Sequence, residues 1–182
     1  MNMFLTETIN GEGSLLSQFR TATKIARAMP DKLASKMVLE QGQILCSAHW
    51  VCGDGKIDQI LYKLAHKNHP VCKWVRKTKS NYRFGYLLFL AQGREFYYRR
   101  GKHHGTYTRF KDILKTPPKY VPDGAFTEPP QCLSGREKNE SYAIAYRDFI
   151  AYDKDYPAWN WGRPAPKWYI ERINNEDRQH AV

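Results

Sequence analysis

The stretch DKLASKMVLEQGQILCSAHW, residues 31–50, decides how this chain is read. Its apolar residues Leu33, Ala34, Met37, Val38, Ile44, Leu45 and Ala48 recur at the spacing of an α-helix. Pro30 interrupts the chain just before it, and Asp31 is placed to act as the cap. Lys36, Glu40, Gln43 and Ser47 follow one another at offsets of four, three and four, so they share one face. A helix with so wide an apolar surface belongs at the centre of a helical fold, which sets Glu40 among apolar neighbours. A carboxylate there can hold or pass a proton near neutral pH. Lys36, one turn away, is a candidate amine nucleophile of the Schiff-base kind. The same two residues also satisfy the spacing of a plain i,i+4 ion pair, worth a few tenths of a kcal/mol.

Outward from this helix the chain continues in helical periods. Residues 1–13 are polar and end in Gly11-Glu12-Gly13, an arm expected to be flexible or extended. Ser14 caps a helix whose apolar positions run from Leu15 and Phe19 through Ala22 and Ile25 to Met29, and whose opposite face carries Arg20, Lys24 and Arg27. On the other side, Gly53-Asp54-Gly55 marks a loop, followed by a short helical stretch around Ile57, Ile60, Leu61 and Leu64. Asn68-His69-Pro70 is a helix-start signal, and the periodicity beyond it predicts one long helix to Arg100, closed by Gly101 in the left-handed conformation. Tyr107 to Leu114 reads as a short helix. Residues 116–136, with five prolines, read as a long connection. Residues 140–152 form a last helix with Tyr142, Ala145, Tyr146 and Phe149 inward. The aromatic segment from Tyr156 to Tyr169 reads as irregular, and residues 171–182 as a frayed polar end. No alternation of period two persists. The expected fold is mainly α, a compact helical bundle of one domain over residues 1–182, with an irregular aromatic C-terminal tail.

The charge balance narrows the partners. There are 29 Lys and Arg against 18 Asp and Glu, so 29 − 18 = +11. A polyanion is the first inference, with nucleic acid ahead of a membrane surface. No apolar run approaches the ~20 residues of a membrane-spanning helix, and the N-terminus has no apolar core of a signal peptide, so a soluble cytoplasmic protein is expected. Cys46, Cys52, Cys72 and Cys132 contain no C-x-x-C pair and read as reduced thiols. Cys46, His49 and Cys52 match no usual zinc spacing, and neither a metal nor a cofactor is expected. Phosphate-cradling glycine motifs and H-E-x-x-H are absent from the sequence.

Two segments interleave basic, amide and aromatic residues, as a surface does that neutralises phosphates and stacks on an unpaired base. The first holds Asn68, His69, Lys73, Trp74, Arg76, Asn81 and Tyr82; the second holds Arg99, Arg100, Lys102 and His103. Backbone amides near Pro70 are expected to add a phosphate contact. The alternative is that the basic groups are simply solvated while the aromatics turn into the core.

The order of these features resembles the small phage pyrimidine-dimer DNA glycosylases of the endonuclease V type. The resemblance rests on MPDKLASKMVLEQGQILCSA (residues 29–48), on His69-Pro70 opening a basic helix, on Tyr98-Arg99-Arg100-Gly101-Lys102 closing it, and on the aromatic segment from Arg163-Pro164 to Trp168-Tyr169. It implies an all-helical protein of a phage-infected bacterial host that extrudes a nucleotide from double-stranded DNA. In that family an N-terminal amine attacks the sugar C1′ and a helix glutamate assists cleavage; Glu40 matches that glutamate. The family's histidine seven residues earlier is Leu33 here, and its N-terminal Thr is replaced by Met1-Asn2. The amine is therefore that of Met1, that of Lys36, or absent. Three functions follow: a DNA glycosylase or abasic-site lyase, a transferase that hypermodifies a base on the same scaffold, or a DNA-binding protein without catalysis. Nothing in the residues fixes an oligomeric state.

Overall fold

The computed structural model describes residues 2–133, 138–153 and 157–180. Among them there are seven α-helices and no strand: α1 Leu15–Ala28, α2 Asp31–Cys52, α3 Pro70–Val75, α4 Lys79–Arg100, α5 Gly105–Phe110, α6 Tyr142–Tyr152 and α7 Lys167–His180. The protein is an all-α domain. Among the described residues, no helix is long and apolar enough to cross a membrane.

Helix α2 is central, as its wide apolar surface requires. It packs on α4 and on the short α3 and α5, while α1 lies against the other side of α4 and α6 pairs with α7. Contacts along α2 and α4 run in opposite order: Asp31 meets Arg99, Gln41 Nε2 donates to the Gly85 carbonyl at 3.0 Å, and His49 Nε2 meets the Tyr82 hydroxyl at 2.8 Å. The two helices are therefore antiparallel. The Tyr82 hydroxyl donates to the Leu114 carbonyl at 3.0 Å, so His49 is the donor in their mutual bond. Met37, Val38, Ile44 and Leu45 of α2 and Phe84, Leu88 and Phe89 of α4 are all buried in one hydrophobic core. Gly93 gives α5 its place: a Cβ there would collide with the Tyr107 ring.

Several expectations are corrected. The basic helix is two helices, α3 and α4, because Thr78 is extended at φ −143° and its hydroxyl accepts from Asn81 N, capping a new helix. Asp31 lies inside the first turn of α2, after Pro30 at the cap, and its carboxylate faces Arg99. The stretch after Gly55 forms only a 3₁₀ turn, Asp58–Ile60. Residues 167–169, expected to be irregular, and 171–180, expected to be frayed, belong instead to the helix α7, with Trp168 buried as its anchor; residues 181 and 182 lie outside the described residues. Residues 157–166 before it are irregular, as expected.

The N-terminal arm is the largest correction. It is extended, but Met3, Phe4, Leu5 and Ile9 are buried in the core. Phe4 stacks on Phe149 and meets Tyr146 edge-on, and Ile9 N donates to the Tyr142 hydroxyl at 2.7 Å. Four apolar side chains removed from water, each contributing on the order of 2 kcal/mol, offset much of the entropy lost in ordering the arm, and its bonds to Tyr142, Tyr146 and Cys132 add to them. The described part of the proline-rich connection is pinned too. Asn81 donates to Thr127 Oγ1 and accepts from Thr127 N, the Trp74 indole donates to the Thr127 carbonyl, and Lys79 N donates to the Pro122 carbonyl.

Candidate active site

The arm and the connection meet over the polar face of α2 and enclose a cleft of about 530 Å³. Glu40 and Lys36 come from α2, Phe149 from α6, His69 and Pro70 from the start of α3, Asn2 and Phe4 from the arm, and Gln131, Cys132 and Leu133 from the connection. The volume is in the range of ordinary small-ligand sites.

Glu40 is 8% exposed, and both its oxygens are engaged. Oε2 accepts from the backbone N–H of Asn2 at 2.8 Å, and Oε1 lies 3.2 Å from Lys36 Nζ. The Lys36 side chain is 60% exposed, so this pair closes the mouth of the cleft rather than its floor. Asn2 is held rigidly for a residue so near the end of a chain. Its side-chain amide donates to the Cys132 carbonyl at 2.7 Å, and its Oδ1 accepts from Met3 N at 2.7 Å and from the Tyr146 hydroxyl at 3.1 Å. Burial raises the Tyr146 phenol far above its ordinary value, so it remains a donor. Its proton serves Asn2 Oδ1 or the Pro130 carbonyl, while its oxygen accepts from Cys132 N at 3.2 Å. One tyrosine thus ties the arm, the connection and α6 together behind Glu40.

His69 is half-buried. Its Nδ1 accepts from Val71 N at 3.3 Å, which leaves the proton of the neutral ring on Nε2. Burial lowers its pKa, and the charge of Glu40 works in the opposite direction. The expected phosphate contact at the α3 amides is corrected by this cap: Val71 N is taken by the His69 ring, and α3 is only six residues long. His104 caps α5 in the same way, accepting from Thr106 N at 3.2 Å. The Cys132 thiol is raised by burial. No group of three or more potential metal ligands occurs among the described residues.

The remaining candidates scatter. Tyr82 and Asn81 are fully buried and Trp74 nearly so, all three spent on the internal bonds described above. The Arg99 side chain is 0% exposed; it donates to Glu95 at 2.7 Å, to Asp31 at 3.0 Å and to the carbonyls of Met29 and Arg27. Asn81, Tyr82 and Arg99 are spent inside the protein, and Trp74 keeps only a small exposed part, on a neighbouring cleft. Helix α4 is interior on most of its circumference, so residues interleaved along it fall on different faces, and most of those faces are covered. Arg20, Lys24, Arg27, Asn68, Lys73, Arg100, Lys102 and His103 are exposed, and Arg76 is half-buried. Arg100 stacks over Trp161 at 4.2 Å, and His103 stacks on Tyr97 at 4.5 Å. Met1, the third catalytic candidate, lies outside the described residues, as do Tyr156 and residues 134–136 of the connection.

The cleft therefore joins Glu40, Lys36 and His69, which the sequence singles out, with Asn2, Gln131 and Cys132, which it does not. Met3-Phe4-Leu5 is the signal that the arm is buried; no pattern in the sequence marks Gln131 or Cys132. No family model, no curated protein and no solved structure matches this chain.

Proposed function

We propose that the protein acts on a nucleotide extruded from double-stranded DNA, with Glu40 as the acid–base and charge-stabilising group in glycosylase or abasic-site lyase chemistry. The observation that carries this reading is the Asn2 nitrogen, 2.8 Å from a carboxylate 8% exposed, within a cleft of nucleotide size. In the family this sequence resembles, the N-terminal amine and the helix glutamate work as a pair. In a chain that starts at Met1, the α-amine is three covalent bonds from that nitrogen; removal of Met1 makes the nitrogen itself the amine. Attack bonds the amine to C1′ as the bond from C1′ to the base breaks, and the electron pair leaves with the base, which takes up a proton. Glu40 supports the developing sugar cation and moves the proton. Extruding a base costs a few kcal/mol, least at a damaged pair, which supplies selectivity with few base contacts. The exposed arginines and lysines, and the net charge of +11, supply sequence-independent attraction to the backbone.

Borohydride added to the protein with an abasic duplex tests the reading. A covalent adduct, mapped by mass spectrometry to the N-terminal residue or to Lys36, is expected. Its absence, with no base released from lesion-bearing duplexes, defeats it.

The ion pair favours a second reading. Lys36 Nζ is committed to Glu40, an arrangement that suits a carboxylate base better than a free amine. On that footing the protein transfers a group onto a modified base in duplex DNA, and Glu40 deprotonates the acceptor. Base analysis of modified phage DNA after incubation with candidate donors tests it; unaltered bases count against it. Duplex binding that survives Glu40→Gln, with no product in either assay, leaves a DNA-binding protein without catalysis.

A further inference from the structure

A second cleft, of about 580 Å³, lies beside the first and shares Pro70 with it. Trp74, Pro122 and Pro130 give it apolar walls, and Cys52 also lines it. Three cations line it as well: Lys73 and Lys77 are exposed, and Arg76 is half-buried between them in sequence. Glu128 is the one carboxylate among its lining residues, so the local balance is 3 − 1 = +2.

Arg76 is the unusual member. Its Nη1 is buried and has no hydrogen-bond partner among the described residues. Arg99 shows how this molecule treats a guanidinium that serves structure: two carboxylates and two carbonyls surround it. A buried donor left unmade costs about 1–3 kcal/mol, and more when charged. A guanidinium that the protein does not use for its own structure, on a residue lining a cleft with surplus positive charge and room for a ligand, is available to an acceptor. A guanidinium matches a phosphoryl group with parallel N–H donors, and two flanking ammonium groups suit its further negative charge.

We infer that the second cleft binds a phosphoryl group, with Arg76 as its main ligand and Lys73 and Lys77 as its rim. That group belongs either to the DNA strand leading into the first cleft, a source that rests on the function proposed above, or to a free phosphorylated molecule. The site itself requires no chemistry at Glu40.

Calorimetric titration of the full-length protein with inorganic phosphate, at low ionic strength and without DNA, tests the site. Saturable binding at one site is expected. Arg76→Gln is expected to weaken it at least tenfold without lowering the melting temperature, because the substitution removes a half-buried guanidinium whose Nη1 has no bonding partner among the described residues. Arg76→Lys keeps the charge, loses the fork and is expected to fall between. The exposed double variant Lys73→Gln/Lys77→Gln is expected to weaken binding severalfold. Absence of saturable binding overturns the proposal, as does Arg76→Gln affinity within twofold of the parent. Should Arg76→Gln fail to fold, unchanged affinity in the double lysine variant overturns it instead. Repeating the titration with saturating duplex separates the sources: loss of the phosphate site identifies a strand phosphate, and its persistence identifies a free molecule. A protein that binds phosphate but no duplex keeps this site and loses the DNA reading.

Discussion

Lys36–Glu40 and Glu95–Arg99 have the same spacing, four residues apart on the two longest helices, α2 and α4. They end in different surroundings. The Glu95 and Arg99 side chains are 5% and 0% exposed, and Asp31 and Arg163 complete a closed set of charges around them. In Lys36–Glu40 the carboxylate is buried and the ammonium reaches solvent over a cleft. Helix spacing makes both pairs possible; what packs over them decides their use. Glu95–Arg99 is covered by the turn between α1 and α2 and by the segment carrying Arg163; Lys36–Glu40 lies beside a cleft bounded by the extended arm and the connection. A closed pair resists change, and an open one is available to a ligand.

The contrast is sharpest under substitution. Arg99→Leu leaves Asp31 and Glu95 buried without their shared partner, and a loss of about 3–5 kcal/mol in urea unfolding is expected. A loss near zero would mean that the charged set is not closed. Acidification comes next. His49 is buried and its pKa is lowered to about 4 by desolvation. A folded-state value below the unfolded 6.5 means that the unfolded chain takes up the proton first. Stability is therefore full above pH 6.5 and falls as pH drops towards 4, by roughly 3 kcal/mol. Glu95 adds to this at lower pH: burial raises its pKa, but hydrogen bonds from Arg163 and Arg99 outweigh burial and hold it below the ordinary value. Its contribution is present above pH 4.5 and is lost as pH falls through the folded value. Melting temperature against pH, with His49→Gln flattening the upper part of the slope, checks both signs.

At the open pair the expected losses are of function rather than fold. Glu40→Gln keeps an acceptor for the Asn2 amide and is expected to cost less than about 1 kcal/mol, while abolishing any borohydride adduct or base modification. Lys36→Gln removes a partly exposed ion pair, and a change below about 0.5 kcal/mol is expected. If Lys36→Gln also leaves trapping intact, the amine is the N-terminal one.

Much of the fold was legible because apolar periodicity reports a helix directly, and α2 was readable from Leu33 to Ala48 alone. The split at Thr78 was harder: its hydroxyl offers a cap, but whether the cap is used depends on the connection bonded to Asn81 and Lys79. The candidate site was half legible. Glu40 and Lys36 announce themselves by spacing on an apolar helix, and His69 by its place before a proline. Asn2 and Cys132 are held at the cleft by Tyr146, a residue that reads in sequence as ordinary core, and Gln131 by its bonds with Asn139. The arginines were the least legible, since a run such as Arg99-Arg100 puts one side chain in the interior and the next over Trp161.

The anchoring of Asn2 has a practical corollary for anyone producing this protein. Its backbone nitrogen donates to Glu40 at the cleft, so an affinity handle or fusion joined close ahead of it is expected to compete with whatever enters there. A preparation carrying such an extension can fold normally, melt normally and still register as inert. Handles belong at the other end of the chain.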